Sequence, residues 1–189
     1  MQCPKDKSVE LFDGHLPTGP QAKCCPDCGG AWISSAQYLA WQQAKGVNPE
    51  AEPQVTVLPS TFSGGTAPAL DNRAALCPEC QHYLARGRVS LQDIEFFVEY
   101  CPNCQGYWCD GGEWAMLQAV DLDLNLQYIF DETWQAQVKA LDASQRERKA
   151  TVEKLGPELA ARVFDLADQL QNHPNGDFGV AYMMRRFDT

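Results

Sequence analysis

Cys77-Pro78-Glu79-Cys80 and Cys101-Pro102-Asn103-Cys104-Gln105-Gly106-Tyr107-Trp108 decide how this chain folds. Two residues between paired cysteines let one tight turn aim both sulfurs at a single ion, and two such knuckles about twenty residues apart supply four thiolates. This is zinc spacing. A closed four-sulfur site leaves no position for substrate or activated water, so the ion it predicts is structural.

The same pattern recurs upstream. Cys25-Pro26-Asp27-Cys28-Gly29-Gly30-Ala31-Trp32 aligns with the segment from Cys101 to Trp108, and Cys3-Pro4-Lys5-Asp6 aligns with Cys77 to Cys80. After each tryptophan comes a helix-start signal, Ser34 with Gln37 and Asp110 with Glu113, at capping-box spacing. Each repeat therefore reads as knuckle, hairpin, knuckle, tryptophan, short helix. In the second repeat, Arg88 to Leu91 and Glu95 to Tyr100 alternate as strands, with the turn near Gln92-Asp93 and with Phe96, Val98 and Tyr100 on one face.

Asp6 stands where the first repeat lacks a cysteine. Zinc accepts a carboxylate oxygen, although three sulfurs and one oxygen hold it less tightly than four sulfurs. Three residues compete for this fourth place: Asp6, which has the knuckle spacing and is preferred; Cys24, which is softer but adjacent to Cys25; and His15, in the intervening loop. The expected ligands are Cys77, Cys80, Cys101 and Cys104 for one zinc ion, and Cys3, Asp6, Cys25 and Cys28 for a second. His82 follows a completed four-cysteine set and reads as a surface residue.

These residues carry a resemblance. The order C-P-x-C, hairpin, C-P-x-C-x-G-x-W and helix resembles the bacterial zinc ribbons of the transcription factor IIB type. The second repeat matches it from Cys77 to about Leu117, and the first, from Cys3 to about Trp41, resembles the variant whose first knuckle reads C-P-K/R-D. The resemblance implies the ribbon fold more firmly than it implies transcription.

The predicted fold class is α+β: tandem zinc-stabilised β ribbons followed by a helical C-terminal region. The expected organisation is a degenerate ribbon over 1–45, a Pro/Gly-rich linker over 46–72 with a short apolar patch at Val55, Val57 and Leu58, a ribbon over 73–125 and helices over 126–189. Modules of about forty residues bury too little apolar surface to fold without metal. In the C-terminal region Trp134, Val138, Leu141, Val152 and Leu155 follow helical spacing after Thr133. Gly156-Pro157 breaks that helix and starts another carrying Leu159, Val163, Leu166 and Leu170, and a third is expected through Val180 to Met184.

Among 189 residues the formal net charge is −10. The charges balance up to Lys45, acids outnumber bases eleven to three from Gly46 to Asn125, and ten to eight from Leu126 onward. Duplex binding rests on lysine and arginine neutralising phosphates, so the acidic second ribbon disfavours nucleic acid. No twenty-residue apolar run is present, and the sequence opens on a knuckle, which predicts a cytoplasmic protein without a membrane span. There is no phosphate-binding glycine loop and no local nucleophile with a histidine partner. The expected function is a non-enzymatic zinc-binding adaptor that binds a protein partner or itself. The alternatives are a transcription-associated factor contacting RNA polymerase or nucleic acid, and a zinc- or redox-responsive thiol switch using Cys24 or Cys109.

Overall fold

The two repeats share one sheet. In a computed structural model that describes residues 1–47, 73–91 and 94–187, the first repeat contributes β1 (Phe12–His15), β2 (Gln21–Cys24), β3 (Ala31–Ile33) and the helix α1 (Ser35–Ala44). The second contributes β4 (Ala85–Leu91), β5 (Ile94–Tyr100), β6 (Tyr107–Cys109) and α2 (Glu113–Ala119). The strand order is β1-β2-β3-β6-β5-β4, antiparallel throughout, so the third strands of the two repeats pair with each other. Their register sets Trp32 opposite Trp108, flanked by Ala31 opposite Cys109 and Ile33 opposite Tyr107.

Alternation along these strands divides the sheet into two faces. Ile33, Phe96, Val98, Tyr107 and Cys109 point to one side, where they meet Tyr38 of α1 and Trp114 and Leu117 of α2. A 3-10 segment (Asp123–Phe130) and the start of α3 (Glu132–Leu155) complete that core through Leu126, Ile129 and Trp134. Trp32 and Trp108 point to the other side and form a second cluster with the cysteines of both knuckle pairs. The expected alternation in β5 is present, with Phe96 and Val98 fully buried on the helix side.

Each tryptophan packs on the glycine of the opposite repeat. A Cβ on Gly30 would stand 2.3 Å from Cζ2 of Trp108, and one on Gly106 would stand 2.4 Å from Cζ2 of Trp32. Only a residue without a side chain lets the backbone come this close to an indole. The aligned glycine and tryptophan of each repeat thus serve the junction with the other.

The helix starts follow their caps. Ser34 accepts from the Gln37 N–H while the Gln37 side chain accepts from the Ser34 N–H, the reciprocal capping box expected for α1. At α2 only half of that pattern forms. Glu113 Oε2 accepts from the Asp110 N–H at 2.7 Å, but the helix is entered from Gly112 and the Asp110 carboxylate is used elsewhere. In α3, Asp131 Oδ1 accepts from the Trp134 N–H, so the helix begins ahead of Thr133.

The chain divides into two compact units. The first covers Met1–Lys139, holding both repeats and the buried Trp134; the second is Ala140–Thr189. The second unit takes the rest of α3, α4 (Pro157–Gln171), with proline in its first turn, and α5 (Gly176–Phe187), which starts earlier than the apolar run at Val180 indicates. The turn near Gln92-Asp93, the linker beyond Val47 and its apolar patch lie outside the described residues.

Candidate metal centres

Cys77, Cys80, Cys101 and Cys104 place their sulfurs within 4.8 Å of one another. Sulfur separations of 3.8 Å for Cys77 and Cys104 and 3.5 Å for Cys80 and Cys101 fit a tetrahedron better than any disulfide. A metal–sulfur bond of about 2.3 Å gives a tetrahedral edge of about 3.8 Å, whereas a disulfide needs about 2.05 Å. All nine cysteines are free thiols.

The backbone explains how the knuckles aim their sulfurs. The N–H of Cys77 donates to His82 O at 2.7 Å, that of Cys101 to Gly106 O at 2.9 Å and that of Cys25 to Gly30 O at 2.8 Å. Four residues after each of these cysteines the chain enters the left-handed region, at Gln81 (φ 62°), Gln105 (φ 60°) and Gly29 (φ 69°). Three knuckles therefore share one turn. The Cys104 N–H also donates to the Cys101 sulfur, 3.3 Å away.

The fourth knuckle departs from this form. Cys3 N–H reaches Val9 O rather than a residue five places on, making the loop one residue longer, and Val9 N–H returns to Asp6 O. Cys3, Cys25 and Cys28 gather their sulfurs within 4.8 Å, with Cys3 and Cys28 3.8 Å apart. The Asp6 N–H lies 3.4 Å from the Cys3 sulfur, while the Asp6 carboxylate accepts from the Ser8 N–H at 3.0 Å and its hydroxyl at 2.7 Å. Asp6 is thus next to the three-sulfur set but turned toward Ser8. The other two contenders sit apart: His15 is exposed on β1, and the Cys24 sulfur lies against Gly14 and packs toward the helix-side core.

Proton affinity reflects the crowding of the sulfurs. Burial pushes Cys77 up to about 11 and Cys28 up to about 12, and the neighbouring Cys80 thiol drives Cys104 higher still. Against this, a backbone N–H at His82 brings Cys80 down to about 5, and Cys25, despite burial, is held low by the N–H groups of Cys28 and Asp27. Thiols packed this closely cannot all ionise alone, and a bound cation removes the repulsion. His82 stays at the surface, its Nδ1 3.2 Å from Cys80 O. Cys109 is fully buried, and burial raises its thiol well above the ordinary range.

Between the two sulfur sets lies a group of charges that spacing arguments miss. Lys5, inside the first knuckle, has its ammonium wholly buried; it pairs with Glu99 of β5, sits 3.1 Å from Asp110 Oδ2 and donates to Arg73 O at 3.0 Å. Asp110 Oδ1 in turn accepts from Trp108 Nε1 at 2.7 Å. Burial would lower the affinity of Lys5 for its proton, but Glu99 and Asp110 more than offset it and hold it above the ordinary value. One sequence signal for this group exists: Glu99 is a charged residue in the strand that also carries Phe96 and Val98, on the opposite face.

No protein-family model, curated protein or solved structure matches this chain. Among the described residues, no helix is long and apolar enough to cross a membrane.

Proposed function

We propose that this chain is a non-enzymatic, cytoplasmic zinc protein in which two structural zinc ions shape a tandem ribbon of the transcription factor IIB type, and whose C-terminal helices bind a protein partner. Zinc suits the sulfur sets because thiolates favour it over hard cations and the four-sulfur set takes tetrahedral edges. Asp6, reached by rotating away from Ser8, is the proposed fourth ligand of the first ion. The four-sulfur set has no vacant coordination position, which supports a structural role.

The single observation that carries the adaptor reading is the exposed apolar surface of the second unit, including Leu159, Val163, Phe178, Tyr182 and Met184. Large apolar side chains left exposed in such number suit an interaction surface. Nucleic acid is the weaker reading: Arg86 stacks its guanidinium 4.1 Å from the centre of the Phe97 ring, and Arg88 pairs with Glu95 at 2.7 Å. Those arginines are already engaged by their own ribbon. The test is affinity capture from native extract, with nuclease, comparing the full chain with the Val163→Asp, Leu166→Asp variant. The reading requires the same set of other proteins to be captured by the first and lost from the second; capture dependent on nucleic acid overturns it.

A further inference from the structure

We infer that the partner of the C-terminal helices is a second copy of this chain, with α5 of one copy lying antiparallel to α5 of the other. The inference rests on the adaptor reading above and names the occupant of that surface. In the second unit Ala160 and Gly176 are the only buried residues among those described. The unit contains no cysteine. A helical unit of about fifty residues with neither metal nor disulfide needs another surface to complete its core.

The missing surface is apolar and large. On α4, Leu159, Val163 and Leu166 recur at helical spacing and are each more than two-fifths exposed. Leu170, one turn on, is instead used within the unit: it packs on α5, where a Cβ at Gly179 would stand 2.6 Å from its Cδ2. On α5, Phe178 is 71% exposed, Tyr182 52% and Met184 63%.

Charge selects a second copy as the occupant. From Ala140 onward eight acidic residues face seven basic ones, so this unit is nearly neutral while the rest of the chain carries nine of the ten net negative charges. Two copies can meet here without the repulsion they meet elsewhere. The helix α5 is moreover polar end to end, with Asp177 in its first turn and Arg185 and Arg186 in its last. An antiparallel copy, related by a twofold axis near Tyr182, sets each arginine pair beside the other copy's Asp177; a parallel copy sets arginine against arginine. Tyr182 and Arg186 already stack in this segment, giving the interface an amphipathic centre.

Sedimentation equilibrium of the purified, zinc-supplied full chain over a wide concentration range tests this. The expected mass rises from 21.0 kDa toward twice that value. Asp177→Lys and Arg185→Glu/Arg186→Glu should each weaken the dimer at least about tenfold by setting like charges together. An equal mixture of those two proteins should restore it, because each copy then faces its complement. Circular dichroism on every variant establishes that the helices remain. A monomer with its helices intact overturns self-pairing, as does a dimer indifferent to the charge changes. The adaptor reading survives either result if the extract experiment still captures other proteins through Val163 and Leu166, and falls only if that capture ignores the helices.

Discussion

Lys5 and Glu99, 94 residues apart in the chain, form a buried ion pair that ties the first knuckle of one repeat to the middle strand of the other. Each side chain lies within or two residues from a proposed metal ligand, Cys3 on one side and Cys101 on the other. The pair therefore joins the two repeats, which share a sheet. Removing one partner of a buried pair leaves the other charge stranded, at a cost of about 3–5 kcal/mol, whereas replacing both with apolar groups is often nearly neutral. Lys5→Met should be the more damaging single change, because it strands both Glu99 and Asp110. Urea unfolding of the zinc-loaded protein should place Lys5→Met below Glu99→Gln, and Lys5→Met/Glu99→Leu above Lys5→Met alone.

The reciprocal packing of glycine and tryptophan makes a second prediction. Gly30→Ala and Gly106→Ala each insert a methyl group where an indole of the other repeat already stands. Overpacking of this kind costs about 1–3 kcal/mol. Thermal melts should show both variants destabilised by similar amounts, since the two contacts are related by the repeat. A change at only one of the two positions would mean the repeats do not bear on each other equally.

Metal loss should be ordered. Three sulfurs with Asp6 hold an ion less firmly than four sulfurs, so a graded chelator titration should remove one zinc well before the other. Cys101→Ser should unfold the second repeat and, through β3 and β6, disturb the first. Asp6→Ala should lower affinity at one site while leaving the fold in place, read by competition with a zinc indicator.

The pH dependence has a definite sign. Cys3, Cys28, Cys77 and Cys104 hold their protons more tightly than ordinary thiols when no cation is present, so protons compete well with metal. Zinc affinity should fall as pH falls, with the three-sulfur site emptying at the higher pH. Loading the metal-free protein near neutral pH should release protons, measurable with a weakly buffered indicator.

Much of this architecture is legible in the residues, and the reason is local. Knuckle spacing is a property of a few consecutive residues, and the sulfurs of Cys77, Cys80, Cys101 and Cys104 converge as that spacing requires. The Ser34–Gln37 cap and the break at Gly156-Pro157 are equally local. The joining of β3 to β6 depends on pairing between residues far apart, and nothing in the alternation of Ala31 to Ile33 says which strand will lie beside it. Nothing local to Lys5 signals its burial, because its partners Glu99 and Asp110 are brought to it only by the fold. Trp134, read as part of a helical stripe, is buried in the same core as Leu126 and Ile129, a contact that no local pattern shows.

We propose two zinc ions on one face of this sheet. Native mass spectrometry of the full chain, prepared with zinc and without chelator, tests it most directly. The expected result is a dominant species carrying two zinc ions per chain with all nine cysteines free of disulfides. A metal-free chain shortened in mass by disulfide formation, or one carrying iron in place of zinc, would contradict it.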